Sequence, residues 1–415
     1  MKKHLRFFTS ALVLILAVFP AACKTDNTMG EQIEQTIETM DYAIVGSFSQ
    51  GLARVEKDGK CGFIDGTGKL IIPLIYDADR YSYFSEGLAL VYTGGRYLNA
   101  SQRIMEGGKC GFIDKTGKVI IPLEYDNATA FSEGFAIVEK NKKQYIVDTI
   151  GQVVATLNTY YGDKESSPGS SNKIRPFSNG LAAVSIDNKW GYIDRAGNEV
   201  IPVGRYEFGW RDFSEELSVA GTREISGGVG HSSKYGFIDK DGEIVILFNY
   251  DWLGSFSDGL AAGCISDENY NRKYGVINKS GEVVLPFEYE YIGDFSEGLF
   301  GFIKDGVLGY MDKTGSIVIS LDIEQPTSSY VGPQLLPFRD GLAIVYGGET
   351  MDGSLMSPNS IAKWGVIDKT GNVVVPFEYD YISGVSDGLA VVFVGHADFY
   401  HDYFNGTWDI LQIEG

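Results

Sequence analysis

One short pattern recurs so regularly along this chain that it decides the architecture before any single residue is considered. A group close to Phe-Ser-acid-Gly-Leu-Ala, with another polar residue in place of some acids, begins at Phe48, Phe84, Phe131, Phe177, Phe213, Phe256, Phe295 and Phe338, and once more at Val385 with valine in front. The spacing averages about 42 residues, in the range of small structural repeats. A second landmark follows each of the first eight groups, an aromatic residue or cysteine before glycine. It appears as Cys61-Gly62, Cys110-Gly111, Trp190-Gly191, Tyr235-Gly236, Tyr274-Gly275 and Trp364-Gly365, with Tyr145-Ile146 and Leu308-Gly309 as weaker copies.

Each second landmark runs into Asp-x-x-Gly, as at Asp65, Asp114, Asp148, Asp194, Asp239, Asp312 and Asp368, with Asn278 as a variant. Asp or Asn opening a type I turn accepts backbone hydrogen bonds, and a glycine three residues on takes the left-handed position that lets two strands rejoin. These recurring acids therefore read as turn residues rather than catalytic ones. Short apolar runs flank the turn, such as Gly62-Phe63-Ile64 and Leu70-Ile71-Ile72-Pro73, and a further run follows Phe-Ser-polar-Gly, as in Leu342-Ala343-Ile344-Val345. Runs of this length between turn signals are strands. The recurring proline cannot donate to a ladder, so it ends a strand or lies at an edge.

Each unit thus predicts about three antiparallel strands, too few to bury both faces alone, so neighbouring units must cover one another. The expected fold class is all-β: about eight to nine small antiparallel sheets in tandem, as a propeller-like ring or an open twisted array. Solenoid coils are usually shorter than this repeat. The recurring Trp, Tyr and Phe positions are expected in the packing between sheets.

The stretch Lys363 to Asp380, with its Lys-Trp-Gly, Ile-Asp-Lys-Thr-Gly, Val-Pro and Glu-Tyr-Asp elements, together with the Phe-Ser-x-Gly-Leu-Ala group, resembles the bacterial WG-containing repeat, also called the KWG repeat. The resemblance spans roughly residues 41–394. It implies a β-repeat protein, often secreted or surface-attached, and supplies no catalytic residues to carry over. Units three and seven are degenerate, so their stacking is the least specified.

The N-terminus sets an expected compartment. Lys2, Lys3 and Arg6 precede an apolar run too short to span a membrane, then Ala21 and Ala22, so residues 1–22 read as a secretion signal. Cys23 follows directly and resembles the acylated cysteine of bacterial lipoproteins, although Pro20 stands where that pattern prefers an aliphatic residue. Residues 23–40 then read as a lipid-anchored polar tether and 41–415 as the repeat domain, held extracytoplasmically at the cell membrane. The remaining cysteines, Cys61, Cys110 and Cys264, are too few for a disulfide framework and read as buried thiols. A bridge between Cys61 and Cys110, at equivalent places in adjacent units, is the alternative.

The net charge of −20 argues against a nucleic-acid partner, whose phosphates would be repelled. Asp239-Lys240-Asp241-Gly242 is the nearest fragment to a calcium loop and is better explained as a turn.

Units differ in length mainly between the strand after Phe-Ser-polar-Gly and the strand containing Trp-Gly, at residues 93–108, 221–233, 266–272 and 347–362. Long loops grouped on a rigid β-scaffold are the usual place for recognition. Arg96, Tyr97, Arg103, Arg223, His231, Tyr270 and Arg272 are the candidate ligand-binding residues on that rim, combining cationic and aromatic groups frequent at binding hot spots. Two other insertions, 158–175 and 322–334, follow a different strand and are expected elsewhere. His396, Asp398 and His401 are weak metal candidates without a standard spacing. No cofactor is indicated. The expected function is a non-catalytic cell-surface binding or scaffolding module for an extracellular protein, peptide or glycan, with an extracytoplasmic hydrolase of polysaccharide or peptide as the alternative.

Overall fold

A computed structural model of the chain describes residues 40–78, 82–99, 104–161, 174–207, 211–225, 231–267, 271–321, 335–347, 363–398 and 403–413. All belong to one compact unit, Gln35–Gly415. The expectations placed on residues 1–39, including Cys23, lie outside the described residues. Among the described residues every regular element is a strand, and no helix is long and apolar enough to cross a membrane.

The first repeat shows the plan: strands Ile44–Ser49, Leu52–Lys57, Lys60–Ile64 and Leu70–Asp77 pair antiparallel in sequence order. Each unit therefore has up to four strands where the sequence predicts three. The extra one is the inner strand at or just before Phe-Ser, often only two residues long, as at Phe84–Ser85, Trp252–Leu253 and Tyr291–Ile292. So short a strand carries no alternation of its own and reads as loop. The degenerate units also fold as four strands: Asn127–Ala128 through Val153–Thr156, and Tyr291–Ile292 through Ile317–Leu321. Hydrogen bonding divides the nine repeats into eight sheets, because the single pair Asp77↔Tyr92 joins the first two.

The consensus residues are explained by what they join. The phenylalanine of Phe-Ser is buried against the aromatic residue after glycine in the preceding unit: Phe84 on Phe63 (4.9 Å between centroids), Phe131 on Phe112 (4.7 Å) and Phe213 on Tyr192 (4.9 Å). The serine hydroxyl donates to the next unit's phenylalanine carbonyl, from Ser49 to Phe84 (2.6 Å), Ser132 to Phe177 (2.7 Å) and Ser296 to Phe338 (2.6 Å). The two residues after serine form a tight hairpin turn in which both have positive φ, as Glu133 (56°) and Gly134 (82°) do. Glycine adopts that conformation without the steric cost a side chain brings.

The glycine of Trp-Gly answers a different need. Opposite it the outer strand bulges at its proline, and a Cβ on Gly62 would lie 2.3 Å from the Ile72 carbonyl oxygen. The proline therefore lies within the outer edge strand, at this bulge, where no ladder bond is lost. The Asp-x-x-Gly turns form as expected: Asp65 Oδ1 accepts from the Thr67 N–H (2.9 Å) and the Lys69 N–H (3.1 Å), and Gly68 has φ of 81°. Asp239 does the same with the N–H groups of Asp241 (3.0 Å) and Glu243 (2.8 Å), so the calcium-like fragment is a turn.

Each sheet buries both faces between neighbours. One apolar cluster spans units one and two through Cys61, Phe63, Ile72, Phe84 and Val91, and equivalent clusters join each later pair. A ninth cluster joins the last unit to the first: Val45, Phe48, Val55 and Ile64 pack on Leu389, Val391, Phe393 and Trp408. A linear row of nine would have eight such interfaces, so the packing order is cyclic. The strand ladder stays open, because the two end sheets do not merge: among the described residues their backbones meet in the isolated bridge Met40↔Trp408, and side-chain bonds from Ser47 to the Ser383 carbonyl and from the Gly51 N–H to Asp387 join them. Cys61, Cys110 and Cys264 are buried thiols, and the alternative bridge between the first two is not formed.

Candidate binding rim

Antiparallel order gives the sheets two different ends. The Phe-Ser-polar-Gly and Asp-x-x-Gly turns share one end. The hairpins between second and third strands leave from the other.

At the turn end, the polar residue of most turns reaches into the following unit. Glu133 Oε2 accepts from the Gly180 N–H (2.9 Å) and Arg195 Nη2 (2.7 Å). Glu215 accepts from the Gly259 N–H (3.0 Å) and Lys279 (2.9 Å), and Glu297 from the Gly341 N–H (3.0 Å) and Lys369 (2.9 Å). Burial raises the pKa of Glu133 and Glu215, but these bonds outweigh it and hold both below the usual carboxylate range. The same contact runs from the last unit to the first, where Asp387 accepts from the Gly51 N–H (3.0 Å).

A second set of bonds lies at the hairpin end. Lys234 donates to Asp251 (2.7 Å), whose other oxygen accepts from the Ser266 N–H (2.6 Å) of the next unit. Lys60 with Asp77, Lys109 with Asp126 and Lys363 with Asp380 repeat the pair. The lysine of Lys-Trp-Gly and the acid of Glu-Tyr-Asp are thereby assigned to joining units.

Beyond those bonds the hairpins differ. Strands Leu88–Asn99 and Ile104–Asp114 form a long hairpin placing Arg96 opposite Glu106 and Tyr97 opposite Met105. In Ser218–Ile225 and His231–Ile238, Arg223 faces Ser233 and His231 faces Ile225. Arg272, opposite Ser266, is exposed and interacts with Tyr274 and Cys264 of its own sheet. His396 is exposed opposite Asn405, and Asp398 pairs with Tyr403 on the last hairpin. Arg103, Tyr270 and His401 lie outside the described residues. The described candidates thus share one end but stand on four different sheets. Among the described residues no three His, Cys, Asp or Glu side chains converge as a metal site.

The insertions 158–175 and 322–334 need a correction. The outer strands leading into them, Val153–Thr156 and Ile317–Leu321, run antiparallel to the third strands and so end at the hairpin end. They leave from the same end as the other insertions, because one strand reversal separates the two kinds of connection.

The sequence reading missed a group on the inner strands, just before Phe-Ser. Arg175 makes a two-bond pair with Asp212, Nε to Oδ1 at 2.7 Å and Nη2 to Oδ2 at 2.9 Å. Arg211 lies over the Trp252 ring at 5.8 Å. Asp294 reaches solvent, yet the protein mass around it raises its pKa, with Arg211 opposing. Arg211 and Asp294 are two units apart, as are Tyr83 and Arg175, and each pair interacts electrostatically across the intervening unit. The available signal was charge at this position in units four, five and seven alone.

A family model described as "WG containing repeat" matches residues 41–61, 62–97, 111–143, 171–190, 190–220, 235–262, 274–307 and 364–395, more than half of the chain. No curated protein sequence matches. Among solved structures, the β-propeller domain of the Trilobed protease from Pyrococcus furiosus, described as having an open velcro topology, is 11% identical with a TM-score of 0.39. That match covers 81% of this chain and 97% of that one. Apo AztD from Citrobacter koseri is 11% identical with a TM-score of 0.37, covering 59% and 74%. Neither likeness bears on activity.

Proposed function

Because the chain belongs to the WG-containing repeat family, whose recurring residues here are occupied in joining sheets, we propose that it is a non-catalytic binding or scaffolding module. It recognises an extracellular protein, peptide or glycan through the hairpin rim, and it is anchored outside the cytoplasm by a lipid on Cys23. The observation that carries this reading is the division of labour between the two ends. The turn end repeats the same contacts at most interfaces, whereas the hairpin end varies in length and carries Arg96, Tyr97, Arg223 and Arg272. Variable loops on a rigid β-frame are where recognition is built.

The test replaces residues 223–233 and 348–362 each by an Asn-Gly turn and compares capture of cell-envelope components with the parent. Loss of capture with an unchanged melting temperature supports the reading, and retained capture contradicts it. For the anchor, Cys23→Ala should abolish fatty-acid labelling and release the protein from the membrane fraction. Continued labelling would refute that part.

A further inference from the structure

Among the described residues two interfaces at the turn end, those of Asp258 and Asp340, lack the bond to the next unit's turn glycine, Asn179 bonding the Phe213 carbonyl instead where Glu216 replaces that glycine, and a cavity lies at the Asp258 interface. Where the polar turn residue is Glu or Gln, it bonds to the glycine N–H of the next unit: Gln50 to Gly87 (2.8 Å), Glu86 to Gly134 (2.8 Å), and Glu133, Glu215 and Glu297 as above. In three of these cases the basic residue after the next unit's turn acid completes the cradle: Arg195, Lys279 and Lys369.

Between units six and seven the polar residue is Asp258, in the same turn conformation (φ 49°) as Asp387, which is equally short yet reaches the Gly51 N–H (3.0 Å). The donors opposite are retained: the Gly298 N–H and Lys313, which follows the turn acid Asp312. No bond joins Asp258 to either among the described residues. A cavity of about 410 Å³ lies there, lined by Asp258, Phe295, Gly298, Asp312, Lys313 and Thr314. Asp312 and Thr314 are committed to their own turn, the threonine N–H and hydroxyl both donating to Asp312 Oδ1 (2.8 and 2.6 Å). The donors that hold a side-chain oxygen at the sibling interfaces therefore face open space here.

We propose that this cavity binds a carboxamide, its carbonyl oxygen accepting from the Gly298 N–H and Lys313 and its own N–H donating to Asp258. Two observations select the amide over a carboxylate. Asp258 and Asp312 already place two negative groups against one lysine, so an added carboxylate meets repulsion that a neutral amide avoids. The chain also supplies its own precedent, since the Gln50 amide oxygen accepts from the equivalent glycine N–H. The site lies at the turn end, opposite the hairpin rim, and stands independently of the function proposed there.

The probe is acetamide, observed by saturation-transfer NMR with the whole chain, and acetate is the control. Acetamide should give a signal that disappears in Asp258→Gln and in Lys313→Met, and acetate should give none. Asp258→Gln should also melt about 1–2 °C higher, because its amide then fills the cradle in the manner of Gln50. No acetamide signal, an undiminished signal in Asp258→Gln, or equal binding of acetate overturns the proposal. Competition by N-acetylglucosamine or by a glutamine-containing dipeptide identifies which source of amide the cavity admits, and failure of both to displace acetamide also overturns it.

Discussion

Replacing Glu297 by alanine isolates one contact between units. Its carboxylate accepts from the Gly341 N–H at 3.0 Å and from Lys369 at 2.9 Å. A hydrogen bond to a charged group contributes about 1.5–3 kcal/mol when buried. Here the side chains of Glu297 and Lys369 are 29% and 44% exposed, which limits the ion pair to about 0.2–1 kcal/mol. Alanine inherits the positive φ that glutamate already tolerates, so strain adds little. The expected loss is about 1.5 kcal/mol at pH 7, close to tenfold in an opening equilibrium. Native-state hydrogen exchange at the Gly341 amide should quicken by about that factor, and urea unfolding should report a matching loss. Glu297→Gln keeps an acceptor and should cost about 0.5 kcal/mol. The pH dependence has a fixed sign. Hydrogen bonding by Lys369 holds the Glu297 carboxyl below its ordinary range, so its contribution is present above the unfolded pKa of about 4.3 and is lost as pH falls through the folded value. A loss below 0.5 kcal/mol at pH 7, or a parent-to-variant gap undiminished at pH 3, would refute the reasoning.

Gly62→Ala should destabilise by about 1–3 kcal/mol in urea unfolding, because the new methyl group meets the Ile72 carbonyl and must push the bulge away. A neutral result would mean that the bulge is pliable. Phe112→Ala removes a fully buried ring stacked edge-on against Phe131 and should cost about 3–5 kcal/mol, read by the same unfolding curve. The body as a whole should be acid-labile. Asp65, Asp114, Asp194, Asp312 and Asp368 at the turns, with Glu133 and Glu215 between units, all have lowered pKa values, so melting temperature should fall as pH drops below about 4. Glu139, Asp294 and Asp409, whose pKa values are raised, act in the opposite sense but are fewer. A melting temperature flat from pH 7 to 3 would contradict this.

The turn acids and glycines were legible because each acts within a few residues of itself: Asp65 bonds to the backbone two and four positions ahead, and spacing alone encodes that. The all-β class followed from the same local signals. The residues joining units were visible as recurrences without a visible purpose, since Ser49 meets Phe84 and Glu133 meets Gly180 only after the sheets stack. Inner strands two residues long left no periodicity to read, which is why Arg175, Arg211 and Asp294 went unnoticed beside them. The closing contact is the least local of all. Val45 and Trp408 meet across most of the chain, and neither carries a local mark of its partner.

The decisive measurement introduces cysteines at Ser47 and Gly384. Their β-carbons would lie 2.7 Å apart, so a shift of about 1 Å reaches disulfide geometry. If the last sheet packs on the first, mild oxidation forms the bond within one chain, the oxidant taking two electrons and two protons, seen as a loss of two hydrogen atoms by intact mass, with the fold's stability retained. Thiols that stay reduced, or that link only between separate molecules, would contradict the cyclic packing on which the assignment of the recurring residues rests.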